Sequence, residues 1–197
     1  MKSCITRKIL QTGNDSWVDT DYMNVFILNS GRCGSTTFIE ACNHISNYSA
    51  AHESRIGSPG PERLKYPDDH IEADNRLSWF LGRLDQAYGD SAYYVHLKRD
   101  AEETARSFMK RSGFGIMRAY REGIYLLDMD HDATTLAHDY LDTIDANITH
   151  FLKDKTRTME FMLEDAKTCF RRFWEEINAA GDLDAALGEW DTRHNHS

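Results

Sequence analysis

The chain has only three prolines, Pro59, Pro61 and Pro67, all in one short stretch. The remaining sequence is therefore free of the strongest breaker of helices and central strands. Its four cysteines, Cys4, Cys33, Cys42 and Cys169, are scattered and form no CxxC pair. That argues against a disulfide framework or zinc site and for free thiols in a reducing compartment. No stretch approaches the ~20 consecutive apolar residues of a membrane-spanning helix. The N-terminal MKSCITRKILQTGNDSW lacks the apolar core of a signal peptide. A cytoplasmic location without a membrane span is the expectation. Positive charge is scarce too: 23 Lys and Arg stand against 32 Asp and Glu, a net charge of -9. The molecule as a whole repels nucleic acid and acidic membranes, so no nucleic-acid partner is expected. Any anionic ligand has to be captured by a local cluster of cations.

There is no internal repeat and no low-complexity segment, and the 197-residue length suits one domain, 1–197, with one sizeable core. Residues 1–23 read as an irregular lead-in and 188–197 as a flexible tail. The unbroken apolar run at 25–28 predicts a fully buried strand. Residues 35–45 predict a helix with Phe38, Cys42 and Ile45 on one face. A short strand follows at 48–52, then a long loop over 55–69 that holds all the prolines. Leu77, Phe80, Leu81 and Leu84 predict a helix over 72–88, ended by Gly89-Asp90. Residues 93–97 predict another strand, and Asp100 with Glu103 a capped helix start. Leu136, Tyr140, Ile144, Ile148 and Phe151 stripe a helix over 136–152. A strand at 158–163 and a helix over 166–180, stopped at Gly181, complete the pattern. Strands alternating with helices imply an α/β fold, with a central mainly parallel sheet flanked by helices in three layers. Ligands of such sheets bind at the carboxyl ends of the strands.

The stretch NVFILNSGRCGSTTFIEACNHI, 24–45, is a strand emptying into a glycine loop and then a helix. A Walker A loop would put glycine at Asn29 and lysine at Ser35, so the match fails at both positions. No GxGxxG is present either. What remains still suits an anion. Gly31 and Gly34 let the backbone turn amides inward, while Ser35, Thr36 and Thr37 offer hydroxyls at a helix N-terminus. Arg32 adds a planar fork for phosphate or sulfate oxygens. The bland alternative is a tight turn with capping hydroxyls. A second cluster, VHLKRDAEETARSF, places Arg99 at a strand end and Ser107 eight residues on, where both can close on one phosphate.

In this order the features resemble the sulfotransferases that use 3′-phosphoadenosine 5′-phosphosulfate (PAPS), closest in pattern to the tyrosylprotein and bacterial types. ILNSGRCGSTTFIEAC is similar to their first motif, a strand and a loop of the type GR-S/C-G-S/T-T. LKRDAEETARSF is similar to their second, with Ala101 where proline is usual. Leu163-Glu164-Asp165-Ala166 resembles a late Y-E-D-L-type motif. The likeness covers roughly residues 24–178 and implies a P-loop-like α/β fold. It implies that Gly31, Arg32, Cys33, Gly34, Ser35, Thr36 and Thr37 cradle the phosphosulfate and that Arg99 and Ser107 bind the 3′-phosphate.

Sulfuryl transfer needs a cradle, cations for the developing charge and a base for the acceptor hydroxyl; it requires no metal. Arg32 is the leading cation. In SAAHESR, Glu53 and Arg55 match the E-x-R pattern that follows the second strand in the resembling branch, which implies Glu53 as base and Arg55 as a substrate contact. His52 is the rival base, since imidazole titrates nearer neutrality. Alternation along a strand predicts that only one of the two faces the site. Lys98 reads as a surface charge, and Arg118 with Arg121 as a solvated helix face. DMDHDATT has the aspartate spacing of a calcium loop but lacks its glycine and closing glutamate. The tail RHNHS reads as a disordered end; the family's habit of closing a late basic loop over the adenosine makes Arg193 and Asn195 candidate contacts. The acceptor, a small-molecule or sugar- or lipid-borne alcohol, would sit among Trp79, Phe80, Phe114, Tyr120 and Tyr125, which suit a core equally well. A nucleotide or small-molecule kinase with a degenerate loop, and a non-catalytic nucleotide-binding protein, are the competing readings.

Overall fold

The structure, a computed structural model, describes residues 22–111, 113–128 and 131–192. Five strands form one parallel sheet in the order β2-β3-β1-β4-β5. They are β1 (Val25–Asn29), β2 (Ser49–His52), β3 (His70–Ala73), β4 (Tyr93–Lys98) and β5 (Thr158–Met162). The helices are α1 (Ser35–Cys42), α2 (Leu81–Tyr88), α3 (Ala101–Met109), α4 (Gly115–Ala119), α5 (Ala133–Leu152), α6 (Ala166–Glu176) and α7 (Leu183–Gly188).

The apolar run of β1 is buried on both faces, which fits its central place. Val25 and Ile27 join Val95, Phe161 and the inner sides of α1, α6 and α7 in one core. Phe26 and Leu28 join Tyr94 and the inner sides of α2, α3 and α5 in the other. This is the predicted three-layer α/β arrangement. Phe38 of α1 packs edge-on against Phe161, Phe170 and Phe173, so the helix leaving the glycine loop is anchored in the core.

Several element boundaries differ from the sequence reading, each for a reason visible in the contacts. The helix predicted over 72–88 is instead β3, a 3₁₀ turn over Asn75–Trp79 and the shorter α2. The polar letters of β3 pass for a solvated helix face, yet all four of its residues are buried, and the side chains of His70 and Glu72 find partners there. His70 Nδ1 meets Ser49 Oγ at 2.8 Å and its Nε2 meets Glu72 Oε2 at 3.1 Å. Glu72 also accepts from the Ser54 amide and hydroxyl, both at 2.7 Å. Asp74 pairs with buried Arg63 at 2.5 Å and caps the 3₁₀ turn by accepting from the Arg76 amide. The predicted loop over 55–69 holds a 3₁₀ turn at Gly60–Leu64.

Helix α6 ends before Asn178, which takes a φ of 51°. Gly181 is no helix stop: a side chain there would stand 2.1 Å from the His44 carbonyl oxygen, at the bridge between Ile45 and Gly181. Arg121, in a π-turn over Tyr120–Ile124, is buried rather than solvated, and Arg118 is exposed against Glu122. Lys98 is more than a surface charge, bridging Asp145 at 3.0 Å and Glu160 at 3.1 Å. Of the calcium-like aspartates, Asp132 caps α5 and Asp130 lies outside the described residues. Residues 188–192 are not tail but fold, with Trp190 packed on Phe161 and Phe170. Arg193 and Asn195 lie outside the described residues, as does most of the lead-in.

Candidate functional site

The carboxyl ends of the strands open into one cleft of about 1040 Å³, where parallel α/β sheets bind their ligands. The β1 loop forms its floor. Gly31, Arg32 and Gly34 take φ values of 90°, 60° and 89°, so the chain turns in left-handed steps before α1 begins. A Cβ at Gly31 would lie 2.9 Å from Asn75 Nδ2 and one at Gly34 2.6 Å from Leu163 Cδ1, so a neighbour would have to give way at positions whose positive φ already favours glycine. Ser35, Thr36 and Thr37 line the cleft at the N-terminus of α1, whose first-turn amides have no carbonyl of their own to bond. Cys33 points the other way. It is buried, its thiol lies 3.5 Å from Asn29 Oδ1, and burial pushes its pKa up to about 12. Its side chain stays a neutral thiol under the loop and can contribute only its backbone to the cradle.

The two predicted clusters meet. Arg32 Nε donates to Ser107 Oγ at 3.0 Å, and Arg99 Nη1 donates to the Arg32 carbonyl at 3.2 Å. Asp100 fixes this geometry by capping α3 through the Glu103 amide, while its own amide donates to Glu164 Oε1. Glu103 does not close the reciprocal arm of a capping box; its carboxylate meets Arg99 at 3.4 Å and Arg106 at 2.5 Å. Burial, then Arg111 and Arg99, lowers the Arg32 pKa from its ordinary value. Cations crowded in this way are relieved by a bound anion.

His52 and Glu53 both face the cleft, contrary to the alternation expected of a strand. Glu53 has a φ of 52°, which breaks the pleat one residue after β2 ends. Its amide still bonds the Ala73 carbonyl at 3.0 Å, and the turn sends its carboxylate to Arg76 Nη1 at 2.9 Å. His52 Nε2 meets Ser35 Oγ at 3.0 Å, tying the second strand to the loop. Arg55 is not among the residues lining the cleft. Of the aromatic set only Phe114 lines the cleft, while Tyr120 is buried in the core and Trp79 packs against that core.

Six cationic side chains, Arg32, Arg76, Arg99, Arg106, Lys110 and Arg111, line the cleft against two carboxylates, Glu53 and Glu103. In a chain of net charge -9 this is the local cluster an anion requires. Arg76, Arg106, Lys110 and Arg111 were not singled out from sequence. For two of them a signal was there: Lys110 and Arg111 follow Arg106 and Ser107 at the four-residue spacing of one helix face. Phe108, Phe114, Ile116, Met117, Leu163 and Trp190 supply apolar walls.

No protein-family model and no curated protein sequence matches the chain. Among solved structures it is similar to mouse sulfotransferase SULT7A1 complexed with PAP, with a TM-score of 0.58 at 9% identity over 86% of this chain and 64% of that one. It is similar as well to the sulfotransferase domain from the curacin biosynthetic pathway, with a TM-score of 0.61 at 14% identity over 84% of this chain and 76% of that one. The chain thus spans less than two thirds of the mouse protein's length. Parallel sheet, loop and structural neighbours agree: this chain has the fold of the sulfotransferases.

Proposed function

We propose that the protein is a sulfotransferase that moves the sulfonate group of PAPS to a hydroxyl or amine of a small-molecule or sugar- or lipid-borne acceptor. The observation that carries this reading is the tie of Arg32 to Ser107 and of Arg99 to the Arg32 carbonyl, above a lysine-free loop. That tie puts one cation at the loop and another, with a hydroxyl, beside it, an arrangement suited to a ligand with two separate anionic ends. The excess of cations over carboxylates in the cleft suits a donor bearing a phosphate of about two negative charges plus a phosphosulfate. The mouse neighbour is complexed with PAP, which supports the same ligand class here.

When bound, PAPS supplies a sulfonate whose sulfur–oxygen bond to the 5′-phosphate breaks as the acceptor oxygen bonds to sulfur, the electron pair leaving with the phosphate. The chain's own residues do the rest. The loop amides and the hydroxyls of Ser35, Thr36 and Thr37 hold the sulfonate, and Arg32 meets the charge that develops on the leaving oxygen. Arg99 and Ser107 hold the 3′-phosphate. Glu53, oriented by Arg76, takes the acceptor proton. His52 keeps Ser35 in place from the other side.

The test is calorimetric titration with adenosine 3′,5′-bisphosphate, AMP and magnesium-ATP. Wild type binds the bisphosphate most tightly, and Arg99→Ala weakens it about tenfold or more, the loss of one charged hydrogen-bonding partner. Equal or tighter binding of magnesium-ATP would replace this reading with that of a kinase.

A further inference from the structure

An anion bound by backbone amides is repelled by any carbonyl that shares its pocket, so the carbonyls of a cradle must find donors elsewhere. The carbonyls of residues 29–32 do so. The Asn29 carbonyl accepts from Ser78 Oγ at 3.1 Å. The Ser30 carbonyl accepts from Tyr140 Oη at 2.8 Å and from Asn75 Nδ2 at 3.3 Å. The Gly31 carbonyl accepts from Ser30 Oγ at 3.1 Å, and that of Arg32 from Arg99 Nη1 at 3.2 Å. Asn29 itself shapes the turn from within. It is fully buried at the end of β1, with Nδ2 donating to the Ile27 carbonyl at 2.8 Å and Oδ1 accepting from the Gly31 amide at 2.9 Å. The same Oδ1 receives the Cys33 thiol at 3.5 Å.

We infer that Tyr140, Asn75 and Asn29 are positioning residues: the first two hold the Ser30 carbonyl and Asn29 braces the turn from within, so that the loop is ready for a tetrahedral oxyanion without a lysine. Asn29 stands where a Walker loop has its first glycine. Tyr140 reaches the loop from the middle of α5, its ring wedged edge-on between Phe108 and Tyr120. Its hydroxyl is thus held by two packed helices, and the cost of ordering the loop is met before the ligand arrives. The inference rests on the sulfotransferase reading only for the identity of the anion.

The experiment compares wild type, Tyr140→Phe and Asn29→Ala by calorimetry with adenosine 3′,5′-bisphosphate and, separately, with inorganic pyrophosphate. Amide proton shifts of Arg32 to Ser35 are followed by NMR, and Tm is recorded for each variant. Tyr140→Phe keeps the packed ring and removes one donor. We expect it to weaken bisphosphate binding about fivefold with Tm within a few degrees of wild type, and to diminish the ligand-induced amide shifts. Asn29→Ala removes three hydrogen bonds and weakens binding at least about tenfold. Should Asn29→Ala not fold, Tyr140→Phe decides. Wild-type affinity and wild-type amide shifts in Tyr140→Phe overturn the inference and leave the sulfotransferase reading standing. Wild type that ignores bisphosphate but binds pyrophosphate, with the same loss in the variants, keeps the inference and overturns the reading. Wild type that binds neither overturns both.

Discussion

Glu53 shows how much one backbone angle decides. On a regular strand His52 and Glu53 would face opposite sides of the sheet, and the choice of base would be a choice between them. The positive φ at Glu53 brings both to the cleft, where their partners differ. His52 is occupied with Ser35, and Glu53 with Arg76. Next to Glu53, the Ser54 amide and hydroxyl are both held by buried Glu72, so the turn that presents the carboxylate is fixed from beneath. Glu53→Gln is expected to lower PAPS turnover about 10²-fold or more, since a positioned base contributes on that scale. Turnover is read as bisphosphate release with 4-nitrophenol, 1-octanol and a methyl glucoside as acceptors. Bisphosphate affinity should stay within about threefold, because the carboxylate gives the donor no hydrogen bond to lose. Unchanged turnover would transfer the base role to His52. At this scale the sequence was readable where a feature depends on neighbours along the chain. Gly31, Arg32, Gly34, Arg99 and Ser107 could be singled out because a turn and a helix face are local. Arg76 could not, because its partner is Glu53, far along the chain and brought near only by the pairing of β2 with β3.

The same distinction governs whole elements. Strand β1 and helices α1 and α5 announce themselves by apolar runs or periodic stripes. Strand β3 does not, since His70, Glu72 and the following Asp74 make it polar, and the Leu77, Phe80, Leu81, Leu84 pattern beyond it suggests a helix already under way. Only the sheet explains those charges, which pair with Ser49, Ser54 and Arg63 from neighbouring segments. This pairing is costly to disturb. Asp74→Ala strands Arg63, buried to 4% exposure, without its counter-charge. That change is expected to cost about 3–5 kcal/mol in denaturant unfolding. A cost below about 1 kcal/mol would mean that water reaches Arg63 and that the pair is not the anchor of this edge of the sheet. Replacing both partners by Met and Leu should be far milder than the single change, because no unpaired charge remains.

For the whole molecule, stability against acid is expected to depend on His96. The ring is buried between β4 and α5, near Lys98, with Asp145 at 3.4 Å and Glu160 also facing it. Burial, then Lys98, lowers its pKa from 6.5 to about 4, outweighing the two carboxylates. The folded state therefore holds the neutral ring while the unfolded chain takes up a proton below about pH 6.5. The contribution is complete above that pH, falls as pH drops through the interval and is gone below about 4, with a size on the order of 3 kcal/mol. His96→Gln should flatten the decline of Tm between these limits, and superimposable profiles for the two proteins would refute the assignment.

The sequence by itself determined the layered α/β fold, the glycine loop and the placing of an arginine at a strand end and a serine on the helix after it. Each of these is encoded by residues within a turn or two of one another. The tertiary structure alone decided that His52 and Glu53 share the cleft, that Arg55 stays outside it, and that β3 is a strand. It also brought Tyr140, Asn75 and Ser78 behind the loop to take up its carbonyls. Hydrogen bonds between segments far apart in the chain follow from sheet order and helix packing, and no local pattern of residues records them.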